Sequence, residues 1–112
     1  MSKAKNRTYS RYSREAVTLM GKMIRLYRME RKFITQDLAD RAGISRITLQ
    51  KMEKGDMKCE IGLVFEVATL VGIRLFETDT MSLGSLEERV EDKIALLPKS
   101  IRKSKRPVRD DF

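Results

Sequence analysis

A chain of 112 residues has material for one domain with a modest core, and 41% apolar residues are enough for it to fold. Lys and Arg outnumber Asp and Glu 24 to 16, for a net charge of +8. With no histidine and one cysteine, Cys59, an intramolecular disulfide is excluded and neither a metal site nor a cofactor is expected.

Residues 1–13 are polar and basic without periodicity and are expected to be a flexible arm. Ser13 is the expected cap of a first helix near 14–32. Its core stripe would hold Val17, Met20, Ile24 and Tyr27, widened by Met23 and Leu26. Thr35 opens a second helix running to about Ala42, where Gly43 stops it. Ser45 caps a third that runs to Lys54 and ends at Gly55. Ile61, Val64, Phe65, Ala68 and Val71 mark a fourth helix over about 60–71, closed by Gly72. The segment 73–80, "IRLFETDT", reads equally as a short strand or an irregular link. Ser85 and Glu88 form a capping box for a fifth helix, with Leu86, Val90, Ile94 and Leu97 on one side and Pro98 as its stop. The tail 98–112 is basic and is expected to be flexible. The fold class is all-α.

Charge is unevenly placed along this order. Residues 1–14 hold five bases and no acid, residues 15–59 are net +4, residues 60–97 are net −5 and residues 98–112 are net +4. Phosphate is the natural partner of the basic half, and protein that of the acidic segment. No run approaches the roughly 18 apolar residues of a membrane span, and the N-terminal region has no apolar run of signal-peptide length. A soluble cytoplasmic protein is therefore expected.

The second and third helices, joined by a tight turn at Gly43, form an αα corner. Leu38, Ala39, Ile44, Leu49 and Met52 fall on inward positions. Arg46, Ile47, Gln50 and Lys51 remain outward on the third helix. Those side chains suit base edges: Arg is bidentate to guanine, Gln to adenine, and Ile touches a thymine methyl.

The stretch "MGKMIRLYRMERKFITQDLADRAGISRITLQKMEKGD" resembles the helix-turn-helix DNA-binding domain of the Xre family, the phage Cro and lambda-repressor type, over about residues 14–76. The resemblance rests on Gly21-Lys22, Ile24-Arg25, Arg28, Leu38-Ala39, Ala42-Gly43, Ser45, Leu49, Glu53 and Gly55. It implies a five-helix lambda-repressor-like bundle whose third helix enters the major groove. By position, Arg46, Ile47, Gln50 and Lys51 become base-reading residues, and Thr35, Ser45 and Thr48 phosphate contacts. Arg28 and Glu53 become a partly buried structural ion pair. The chain departs from the family at Ile34-Thr35, where Thr-Gln is usual. Thr35 then serves as the cap, and Gln36 is a substitute phosphate contact. Lys54 and Lys58 lie where they meet only DNA backbone.

The second half, "CEIGLVFEVATLVGIRLFE" with its acidic helix and basic tail, is similar to the HipB-like antitoxins, Xre repressors encoded beside a HipA-like kinase toxin. This implies a homodimer that binds a palindromic operator in double-stranded DNA, and a kinase toxin. Residues 77–97, with Leu86, Val90, Ile94 and Leu97, become the dimer and partner segment. The alternative is a stand-alone regulator without a toxin. An enzyme is not expected: no His, no phosphate-cradling Gly loop and no inward carboxylate pair are present.

Overall fold

The computed structural model of the chain describes residues 7–76 and 79–100. Among the described residues are five α-helices: α1 (Arg11–Glu30), α2 (Thr35–Ala42), α3 (Arg46–Glu53), α4 (Ile61–Val71) and α5 (Leu83–Ala95). The expectation of an all-α protein holds. Residues 73–76, 79 and 80 carry no strand, so of the two readings the irregular link applies to them, while 77 and 78 lie outside the described residues. Residues 1–6 of the basic arm and 101–112 of the basic tail also lie outside them. The chain divides into two compact units, one ending at Leu75 and the other starting at Phe76.

In the first unit, α3 packs on α1 and α2, and α4 packs on the same two helices. The shared core is aliphatic. Ile24, Leu38, Leu49, Val67 and Val71 are fully buried, with Ala39, Ala68, Met52 and Ile73 around them. Burying each of the large aliphatic side chains contributes about 1.5–3 kcal/mol. Ile44 is half-buried against the same cluster. Leu26 does not belong there, being 53% exposed.

The helix ends are set by local bonds. α1 begins a turn earlier than expected: Ser10, not Ser13, is its cap, and the Ser13 amide donates to Ser10 Oγ at 3.2 Å. Arg11 reaches Glu15 at 3.3 Å within that extra turn. Ile34, not Thr35, occupies the cap of α2 and supplies no side-chain acceptor. Gly43 ends α2 at φ 70, the left-handed conformation that costs glycine least, and the Ile44 amide closes the turn on the Ala39 carbonyl at 3.0 Å.

In the second unit, Ser82 rather than Ser85 caps α5; the Ser85 amide donates to Ser82 Oγ at 3.1 Å. The helix ends at Ala95, two residues short of Leu97, whose amide still donates to the Ile94 carbonyl at 3.0 Å. No α5 residue is buried; Leu86 is half-buried, and Leu83, Val90, Ile94 and Leu97 are more than half exposed.

Cys59 is half-buried beside the core. Burial pushes its thiol above the ordinary value of 9.0, the Asp56 carboxylate adds to this and Lys51 opposes it. The thiolate fraction at pH 8 is thus smaller than for a free thiol, and reactivity is reduced accordingly. Iodoacetamide at pH 8, followed by mass spectrometry, is expected to label Cys59 several-fold more slowly than glutathione. Equal rates would contradict this environment.

Candidate nucleic-acid interface

The site is built on α3. Ser45 caps it, with Oγ accepting from the Thr48 amide at 3.0 Å. Leu49 and Met52 pin the inner side to the core. With about 100° between successive residues, burying 49 and 52 turns 46, 47, 50 and 51 outward. Arg46, Ile47, Gln50 and Lys51 are all exposed, Ile47 by 62%. An isoleucine turned to solvent between an Arg and a Gln is not used for packing in this chain.

Two devices hold α3 against α1. A Cβ on Gly21 would stand 2.5 Å from the Met52 carbonyl oxygen and 2.8 Å from that of Glu53, so the backbones touch where only glycine fits. Two turns further along, Arg28 Nε donates to Glu53 Oε2 at 2.6 Å and a terminal guanidinium nitrogen to Oε1 at 3.1 Å. The other terminal nitrogen donates to the Phe33 carbonyl at 3.0 Å. The two side chains are only 12% and 8% exposed. The pair expected to be partly buried is thus a bidentate clamp joining α1, the α1–α2 turn and α3.

Beside the clamp lies an open depression of about 310 Å³, lined by Arg25, Arg28, Thr35, Gln50, Glu53 and Lys54. Arg28 and Glu53 neutralise each other, so Arg25 and Lys54 leave the depression net positive. The start of α2, with Thr35 half-buried there and no side-chain cap, adds the positive end of a helix dipole. The positive lining suits an anionic group such as a phosphate.

The structure therefore brings Thr35, Gln50 and Lys54 together. It places other expected contacts less directly. Ser45 and Thr48 hydroxyls are bonded to each other at 2.9 Å. Gln36 donates to Asp40 at 2.9 Å. Lys58 is exposed in the loop after α3, and its side chain does not line the depression. Arg25 was not among the expected contacts. Its signal is spacing: 21, 25 and 28 share the side of α1 that faces α3.

No group of three or more His, Cys, Asp or Glu among the described residues is placed to hold a metal ion, and no helix there is long and apolar enough to cross a membrane. No protein-family model matches the chain, and neither a curated protein nor a solved structure matches it.

Proposed function

We propose that the protein is a sequence-specific DNA-binding transcriptional repressor that acts, as a dimer, as the antitoxin of a toxin–antitoxin module with a HipA-like kinase toxin. The observation that carries the DNA-binding reading is the outward row Arg46, Ile47, Gln50 and Lys51 on α3 beside the cationic depression. A helix of eight residues is about 12 Å long, short enough to lie within the major groove. Cytoplasmic location is part of the same reading. The antitoxin part rests on the resemblance of the second half and on the acidic segment 60–97, which DNA repels and a protein partner accepts.

The reading is tested by fluorescence anisotropy on duplexes from the chain's own upstream region and on scrambled duplexes. Arg46→Ala or Gln50→Ala is expected to cost about 1–3 kcal/mol on the operator and almost nothing on scrambled DNA. Lys54→Ala, Lys58→Ala and Arg25→Ala are expected to weaken both alike. Each should make the logarithmic salt slope shallower by about 0.9 per lost phosphate contact. If Arg46→Ala loses affinity equally on both duplexes, α3 does not read sequence. The toxin is tested by co-purification with the product of the neighbouring gene. A regulator without a toxin would bind the operator and bring down no kinase-like protein.

A single recognition helix per chain makes few base contacts, so a palindromic site calls for two copies. The α5 stripe of Leu83, Leu86, Val90 and Ile94 is the proposed joint. Glu87 and Glu91 flank it on one edge and Arg89 and Lys93 on the other. In a parallel two-fold pair, opposite edges meet, so unlike charges face each other. Light scattering at micromolar concentration is expected to give about twice 13.0 kDa, and Val90→Glu is expected to give monomer. A wild-type monomer that still binds a palindrome tightly would overturn the dimer.

A further inference from the structure

The α5 joint and the α3 interface leave a narrow apolar stripe on α1 unexplained. Tyr12, Leu19 and Leu26 on α1 are 74%, 59% and 53% exposed. They are seven residues apart, so each lies about 20° round from the last, and the three form one straight stripe about 21 Å long. Gly21 and Arg28, which face α3, stand two residues after Leu19 and Leu26, about 200° round the helix. The stripe therefore looks away from α3 and from the cationic depression. It is not an edge of the proposed DNA interface.

The charges beside the stripe say what fits it. Glu15 and Lys22 lie on the same edge, about 40° and 60° from Leu19. A two-fold axis that sets two helices antiparallel brings the same edge of each copy together. With Leu19 near the axis, Tyr12 then meets Leu26 of the other copy, and Glu15 meets Lys22 of the other copy, twice over. A parallel pair would instead bring that edge against the Ala16–Met23 edge and leave the charges unmatched. Glu15 already holds Arg11 through one oxygen and has the other to offer. We propose that α1 carries a second self-association surface, an antiparallel two-fold pairing of the Tyr12–Leu19–Leu26 stripe with that of another copy.

The stripe is narrow, well under the roughly 800 Å² per partner of a stable interface. Alone it therefore associates weakly. It acts where copies are already concentrated, joining one α5-paired dimer to the next. The pairing does not depend on DNA binding or on the α5 joint being correct.

Cysteine cross-linking in a Cys59→Ser background reads the geometry directly. Leu19→Cys alone is expected to form a disulfide-linked pair with oxidised glutathione at least tenfold faster than Glu66→Cys, an exposed control on α4. Tyr12→Cys and Leu26→Cys are each expected to link slowly with themselves and rapidly when mixed. Glu15→Lys or Lys22→Glu is expected to slow the Leu19→Cys linkage several-fold, and the two together to restore it. Apart from the half-buried Cys59, whose change to Ser is common to every variant, the replaced side chains are exposed, and circular dichroism checks that each variant folds. Leu19→Cys no faster than the control overturns the surface. Rapid self-linkage of Tyr12→Cys and Leu26→Cys overturns the antiparallel arrangement, as does failure of the charge exchange to restore linkage.

Discussion

Glu53→Ala is expected to lower the unfolding free energy by about 3 kcal/mol, because it leaves the Arg28 guanidinium, 12% exposed, without its carboxylate. For a domain of this size that corresponds to a fall of roughly 12–24 °C in Tm. The interaction is not a surface ion pair worth a few tenths of a kcal/mol. Both partners are nearly out of water, and the bidentate geometry fixes them. Arg28 would keep its bond to the Phe33 carbonyl, which cannot neutralise it. The double variant Arg28→Met/Glu53→Leu is expected to recover most of the loss, since an apolar pair of similar volume removes the stranded charge. Urea unfolding of the two single variants and the double gives the coupling energy. An unchanged midpoint for Glu53→Ala with lost DNA binding would instead make Glu53 a contact residue.

Gly21→Ala is expected to cost about 2 kcal/mol, although alanine is the better helix former. The propensity gain is about 0.5–1 kcal/mol. Against it, the added methyl meets two carbonyl oxygens of α3 at 2.5 and 2.8 Å. These are backbone atoms with no rotamer to change, so α1 and α3 must separate, at the upper end of the 1–3 kcal/mol typical of overpacking. Gly62→Ala is the control. Its Cβ would find nothing nearer than a flexible Glu60 oxygen at 3.6 Å, and about 0.5 kcal/mol of stabilisation is expected there. Thermal and urea unfolding of both variants checks the opposite signs. A Gly21→Ala protein as stable as the parent would mean that the two helices are not held at this distance.

The third helix was legible because each of its determinants is local. Ser45 and Gly55 bracket it, and the apolar pair Leu49 and Met52 fixes its inner side, which leaves only one outward row. The starts of α1 and α5 were misread for a shared reason. Each has two serines three apart, Ser10 and Ser13, Ser82 and Ser85, and the earlier one is the cap in both. The later serine gives its amide to the earlier hydroxyl, and a search for apolar periodicity does not register a helical turn that buries nothing. Leu26 was misread because its heptad partners are Tyr12 and Leu19, not Ile24. Ile34 stands where a polar cap was sought, and the helix starts there because the backbone turns there. Arg25 was missed because its neighbours Thr35, Gln50 and Lys54 come from two other elements. Their meeting depends on the α1–α3 contact, which no local pattern encodes.

The clamp and the close approach also divide the chain into positions that drift differently. Arg28 fills three fixed acceptor positions with one planar group, so a lysine there would keep the charge and lose the geometry. A viable change at 28 must be accompanied by one at 53, and glycine at 21 is held by space alone. On the outer side of α3, nothing in the packing restrains 46, 47, 50 or 51. Exchanges at those four exposed positions are expected to cost the fold little. Distant relatives are therefore better sought by the spacing of Gly21, Arg28 and Glu53 than by the residues that face outward.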